Sequence, residues 1–312
     1  MRKFLFWTCS GLALVLLIGL GLLEYRHQQG VKRAALAFSS QQIEPLGDIG
    51  ATGSLRILPL LEYYSADPQL ATAVGVSYLV DTDDHRILYD VGQNPDGSNP
   101  SPLQQNMAAL GVELASIDTV FISHNHFDHV GGLRWQREKT FSLGTEQLPF
   151  PNPRTRLVMP ELMSYPGLSA VLARQPQAIG NGVGTTGLAS TGAIGRQLVI
   201  GWIEEHSLVV NVAGLGGVII VACGHQPIPN LLERYDDAFD APLYGIIGGL
   251  HFPVPEGRIK VGPLDGQRHL ASGAGLFSPL TMDEVTRQIA MLKARNLGVI
   301  GVSGHDSSDE VI

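Results

Sequence analysis

Between residues 124 and 129 the chain reads His-Asn-His-Phe-Asp-His. The motif directly follows Ile117–Ser123, an apolar run with the length and composition of a buried strand. Alternate residues leaving an extended strand point the same way, so His124 and His126 can present their imidazoles to one ion. A turn into a helix then redirects Asp128 and His129 toward a second position nearby. Gly131 and Gly132 let that turn sit close to neighbouring backbone. The fold must therefore carry a strand end into a cation site. Imidazole and carboxylate donors suit zinc first, with iron and manganese as alternatives.

The rest of the chain supplies strands to build around this point. Leu55–Leu61 and Val74–Val80 read as strands, and Asp81-Thr82-Asp83-Asp84 is turn chemistry before a hairpin return over Arg86–Val91. Pro102–Leu110 reads as a helix stopped by Gly111, Arg156–Met159 as a strand and Gly167–Arg174 as a helix. Gly180–Gly195 holds six glycines and no charge, so a flexible loop is expected, without the lysine of a phosphate-binding loop. Gln197–Ile203, Ser207–Val212, Gly217–Ala222 and Leu243–Ile247 read as further strands. Thr281 and Glu284 form a capping box opening a helix that runs to Arg295, before a last strand at Val299–Val302. Two strand-rich halves with interspersed helices fit two packed sheets.

Charge is unevenly spread over the 312 residues, whose formal net charge is −8. Residues 1–33 carry Arg2, Lys3, Arg26, Lys32 and Arg33 against Glu24, a net of +4, which leaves −12 on the remainder. An acidic body repels phosphate backbones, so nucleic acid is not an expected partner. Phe4–Leu23 is uncharged over twenty residues, about the thickness of a bilayer core. It predicts an N-terminal transmembrane anchor within residues 1–33; a cleaved signal peptide is the competing reading. A linker over 34–54 and a catalytic domain over 55–312 follow. The short N-terminal tail places the body on the extracytoplasmic or periplasmic side. With one of its two cysteines, Cys9, inside the leader, the chain has no disulfide framework. Cys223 reads as a small buried residue, and His206 and His269 as surface residues.

Beyond the six-residue motif, Asp90 follows the run Arg86–Tyr89, His225 stands in Val221-Ala222-Cys223-Gly224-His225, His251 ends Gly248-Gly249-Leu250-His251, and His305 follows Ser303-Gly304. In these motifs the sequence resembles the metallo-β-lactamase fold superfamily over residues 55–306. The likeness is greatest to its dihydropterin synthase-like group, through Cys223–Asn230, the Gly-Gly-x-His run and Glu205-His206-Ser207-Leu208. The resemblance implies an α/β fold, a four-layer αββα sandwich, and a hydrolase that aims a metal-activated water at an ester, lactone, amide or phosphodiester of a small molecule. His124, His126 and His225 are then expected on one zinc ion. Asp128, His129 and His305 are expected on a second, with His251 bridging or terminal, and Asp128 and Asp90 as catalytic and supporting carboxylates. Two departures stand out: no aspartate lies beside His251, and the last motif reads His305-Asp306-Ser307-Ser308 where the group often has His-Cys-Thr-Gly. A dihydropterin synthase-like transferase or lyase, and a non-catalytic metal-binding module, are the competing functions.

Overall fold

The computed structural model describes residues 2–180 and 186–312, with side chains from residue 11 onward. Six strands form the first sheet in chain order: β1 (Leu55–Leu61), β2 (Ser77–Thr82), β3 (Arg86–Tyr89), β4 (Thr119–Phe121), β5 (Arg156–Met159) and β6 (Ser169–Leu172). The first three pair antiparallel, and β3 to β6 run parallel. The second sheet comprises β7 (Gln177–Ala178), β8 (Leu188–Ser190), β11 (Leu208–Val212), β12 (Gly216–Val221), β13 (Leu243–Gly248) and β16 (Val299–Val302), in the spatial order β16-β13-β12-β11-β8-β7. β9 (Ile194–Leu198) and β10 (Gly201–Glu205) make a separate hairpin, as do β14 (Lys260–Val261) and β15 (Leu264–Asp265).

Alternation along the strands explains the layering. Val80, Ile87, Tyr89 and Phe121 of the first sheet meet Leu208, Val210, Val218 and Ile220 of the second in a core between the sheets. The opposite face of the first sheet buries Leu79, Leu88 and Val120 against Leu103 and Met107 of α2 (Pro102–Ala109) and Trp135 of α3 (Leu133–Arg137). The outer face of the second buries Val209, Ile219 and Ile246 against Leu231, Leu232 and Tyr235 of α4 (Ile228–Ala238) and Val285 and Leu292 of α5 (Met282–Ala294). The result is helix, sheet, sheet, helix. Both α2 and α5 begin with a reciprocal capping box, Ser101 with Gln104 and Thr281 with Glu284, which satisfies N–H groups that a helix start leaves orphaned.

Three local readings change. Gly167–Arg174 forms the edge strand β6, because its Ser-Ala-Val-Leu core pairs in register with β5; sheet pairing overrides local helix propensity. Gln197–Ile203 is the β9–β10 turn, with the chain reversing at Val199-Ile200 and Gly201 at φ 150°. Of the predicted loop, residues 181–185 lie outside the described residues, while β8 and the start of β9 occupy its second half.

The predicted anchor is corrected. Among the described residues no helix is long and apolar enough to cross a membrane, which overturns the membrane partner and the single-pass membrane localisation and removes the anchor from which the side of the body is read. Within helix α1 (Arg2–Ser39), the apolar run with described side chains is Gly11–Leu23. The side chains of Phe4–Ser10 lie outside the described residues. From Glu24 onward the helix docks on the domain. Glu24 accepts the Leu276 N–H at 3.1 Å, His27 and Ala34 are buried, and Gly30 lies where any Cβ would meet the Gln197 side chain. The segment expected as a linker is also packed: Leu46 N–H donates to Ala238 O at 2.9 Å, and Thr52 bridges to Val212.

Candidate metal centre

The candidate residues gather because each follows the carboxyl end of a strand. Asp90 follows β3, residues 124–129 follow β4, Cys223 and His225 follow β12, His251 follows β13 and His305 follows β16. In α/β sheets this is the end where ligand sites form. Glycine permits close backbone approach at two points around these turns. Gly224 has φ 73°, and a Cβ there would lie 2.5 Å from Gly249 O. Gly75 has φ 84° and packs so closely on the motif that a Cβ would lie 1.7 Å from Asp128 O.

All six predicted histidines come together. Ring centroids are 4.8 Å apart for His124 and His126, 4.3 Å for His124 and His129, 4.9 Å for His126 and His225, 4.5 Å for His225 and His251, and 5.4 Å for His129 and His305. Asp128 Oδ2 lies 3.7 Å from His129 Nε2. Ligand atoms of His124, His126 and His225 lie within 4.8 Å of one another, the trio expected at the first ion. His225 does not cap α4, whose N-cap is Pro227.

Hydrogen bonds on the far side of the rings fix which nitrogen faces inward. Asp90 Oδ1 accepts the Ser123 N–H at 2.7 Å, and Oδ2 accepts the Ser123 hydroxyl at 2.6 Å and His129 Nδ1–H at 2.7 Å. Since Ser123 donates to Asp90, its oxygen accepts from His124 Nδ1 at 2.8 Å. His305 repeats the device: its Nδ1 meets Ser303 Oγ at 2.6 Å, and Ser303 donates to Glu62 Oε2 at 2.6 Å. Nε2 of His124, His129 and His305 is thereby left as the inward-facing atom.

Electrostatics follow from burial. Desolvation pushes His124, His225 and His305 well below the ordinary imidazole range, His126 to about 4 and His251 to about 3, so these rings are neutral and keep a lone pair. His129 differs. Burial disfavours its charge, but the carboxylates of Asp128 and Asp90 outweigh this and raise it to about 9. Burial also raises Asp90, and raises Asp306 well above the carboxylate range.

These residues fit a divalent cation. His124 Nε2, His225 Nδ1 and both nitrogens of His251 are buried without a hydrogen-bond partner. Asp90, Asp128 and Asp306 are buried and, among the described residues, approach histidines and no lysine or arginine. Buried lone pairs and carboxylates of this kind are ordinarily compensated by a metal or a paired cation.

Several residues of the site escaped the sequence reading. Glu205, fully buried at the end of β10, accepts the N–H groups of Cys223, Gly224 and His225 at 3.2, 3.0 and 2.6 Å. Burial raises it to about 7 against the pull of those N–H groups. Its place before His206 in a strand-end motif was the available signal. Asp306 supplies a carboxylate beside His251, accepting the His251 N–H at 3.1 Å; its signal was adjacency to His305. His206, expected at the surface, is fully buried. It bonds Ser190 Oγ at 2.7 Å and Ile122 O at 2.9 Å, and stacks on Phe121 at 4.1 Å. It thus pins the end of β4 to the second sheet. His269 is half-buried, with Nδ1 3.0 Å from Leu276 O. A cleft of about 270 Å³ opens beside His126 and Asn125, walled by Glu161 and by Leu198, Ile200 and Trp202 of the β9–β10 hairpin.

Comparison with known proteins agrees with this geometry. The family model described as the metallo-beta-lactamase superfamily matches residues 72–267. A 7,8-dihydropterin-6-methyl-4-(beta-D-ribofuranosyl)-aminobenzene-5'-phosphate synthase from Methanocaldococcus jannaschii is 25% identical over 245 residues, covering 66% of this chain and 80% of that protein. A hydroxyacylglutathione hydrolase from Acaryochloris marina is 44% identical over 52 residues, which cover 15% of this chain and 19% of that enzyme. A solved structure described as a metal-dependent hydrolase of the beta-lactamase superfamily shares the fold, with a TM-score of 0.51, 17% identity, and coverage of 83% of this chain and 90% of that one. The chain belongs to the metallo-beta-lactamase superfamily.

Proposed function

We propose that the protein is a metal-dependent hydrolase acting on an ester, lactone, amide or phosphodiester bond of a small molecule. The observation that carries this reading is the convergence of six neutral or carboxylate-paired imidazoles and Asp128 on one buried point, with nitrogens that have no protein partner. His124, His126 and His225 would hold one ion, and Asp128, His129 and His305 a second, with His251 alongside. Zinc is the metal these donors suit best, two ions per chain, with iron or manganese as alternatives. When bound, such ions polarise a carbonyl or phosphoryl oxygen and acidify a water.

The chain's own residues do the rest. Asp90 holds His129 and, through Ser123, His124 with Nε2 inward, so neither ring reorients during turnover. Asp128, beside His129 and only slightly exposed, accepts the proton released as the nucleophile attacks. The cleft beside His126 seats the substrate against the β9–β10 hairpin, whose Ile200 and Trp202 are exposed at its rim. The likeness to the synthase from Methanocaldococcus jannaschii supports a second reading, a synthase-type transfer at the same centre.

Ester, lactone and phosphodiester panels, assayed with zinc-loaded protein, test the proposal. Turnover is expected to disappear on chelation and in the double variant His124→Ala, His126→Ala. Activity that survives both treatments refutes it. Bound metal with no turnover across the panel favours a non-catalytic metal-binding module.

A further inference from the structure

We propose that Cys223 is a thiolate ligand of the metal centre, its sulfur standing between the two groups of histidines. The inference rests on the metal-centre reading above and adds a soft donor to it. Cys223 lies two residues beyond β12 and is buried. Its Sγ is 3.1 Å from His129 Nε2 and 3.3 Å from His305 Nε2. Each of those rings is bonded through its other nitrogen, His129 to Asp90 and His305 to Ser303, so both Nε2 atoms are aimed at one sulfur. A thiol carries a single hydrogen and can donate to at most one of the two rings. His124, whose Nε2 is buried without a hydrogen-bond partner, has a ring nitrogen within 4.8 Å of the same sulfur.

The wider cluster repeats the pattern. Four groups of metal-competent side chains occur among the described residues, and Cys223 belongs to three of them: with His124 and His129, with His225 and His251, and with His305 and Asp306. No other side chain is shared so widely. The backbone is built for this placement, since Glu205 ties the N–H groups of Cys223, Gly224 and His225 together. That turn presents the sulfur and the His225 ring to one centre. Sulfur thus occupies a central place in a cluster where no aspartate precedes or follows His251 in the chain.

Coordination replaces the S–H bond by an S–metal bond and sends the proton to solvent, with no change of oxidation state. A sulfur donor biases the centre toward zinc and cobalt and away from magnesium and calcium, which prefer oxygen.

The test is cobalt(II) binding to the full chain, read by absorption. The expected result is a near-ultraviolet thiolate-to-cobalt charge-transfer band beside the visible ligand-field bands. That band is lost in Cys223→Ser and Cys223→Ala, which retain Cys9 and so control for it. Cobalt affinity is expected to fall at least ~10-fold in both variants, the loss that removing even a supporting partner of a ligand produces. Metal binding to the parent protein is expected to release one more proton than binding to Cys223→Ala, read with a pH indicator in weak buffer. Ligand-field bands without a charge-transfer band overturn the assignment while leaving the metal centre standing. Absence of any cobalt binding to the parent protein overturns both. If neither variant folds, the parent spectrum alone decides.

Discussion

Gly75 makes no side-chain contact, yet its replacement by alanine is expected to disable the metal centre. It sits at φ 84°, and an added Cβ would lie 1.7 Å from Asp128 O. A carbon and a carbonyl oxygen approach no closer than about 3.3 Å, so the two segments must part by about 1.5 Å. The left-handed backbone costs about 1–2 kcal/mol for a residue with a Cβ, and overpacking adds about 1–3 kcal/mol. The combined loss of about 2–5 kcal/mol should lower the melting temperature by roughly 4–20 °C at about 2–4 °C per kcal/mol. Because the displaced carbonyl belongs to Asp128, a shift of this size should also weaken turnover by about 100-fold. Gly97→Ala isolates the backbone cost: Gly97 has φ 60° but nothing within 4 Å of an added Cβ. It should lose only the backbone term and keep metal affinity. Scanning calorimetry of the metal-free proteins and chelator competition with zinc measure both quantities. If Gly75→Ala binds zinc as Gly97→Ala does, the packing of residue 75 does not position the motif.

Further outcomes follow from the hydrogen bonds and charges of the site. Asp90→Asn keeps shape and tolerates the positive φ of 54° at this position, but its amide cannot accept from both Ser123 and His129. Zinc affinity should fall about 10–100-fold in chelator competition, with an unchanged far-ultraviolet spectrum. His129 is raised to about 9 by its carboxylates. A raised histidine stabilises the fold fully below its unfolded value near 6.5 and loses that contribution as pH climbs through its folded value. Urea melts of metal-free protein should therefore show a loss on the order of 3 kcal/mol between pH 6.5 and 9.5, a loss absent from His129→Gln. His206→Leu leaves Ile122 O and Ser190 Oγ without their partner and should cost about 2–4 kcal/mol in urea titration.

The features legible directly in the sequence were local. The strand before His124, the spacing from His124 to His129 and the capping box at Thr281 depend on neighbours within a few residues and are plain in the sequence alone. The contacts that orient the site are distant. Asp90 meets Ser123 and His129 across two strand ends, Ser303 meets Glu62, and Glu205 meets a turn 18 to 20 residues on. No spacing rule reports such pairs. The N-terminal run misled because hydropathy over Phe4–Leu23 gives no weight to the residues beyond Leu23, and from Glu24 onward the same helix docks on β9 and on the loop at Leu276. Gly167–Arg174 misled for a related reason, since β5 offers an open edge that any compatible extended segment will take.

The positions of the donors along the chain carry a mechanical consequence. His129 and Cys223 are 94 residues apart in sequence, and Cys223 and His305 are 82 apart, and the three come from strand ends of both sheets. An ion held among them, as proposed, would be a cross-link between the two halves of the sandwich, in a chain whose body has a single cysteine and no disulfide. A covalent cross-link of that span constrains an unfolded chain by about 4–5 kcal/mol. Stripping the metal should then loosen the seam between the sheets before it melts either one.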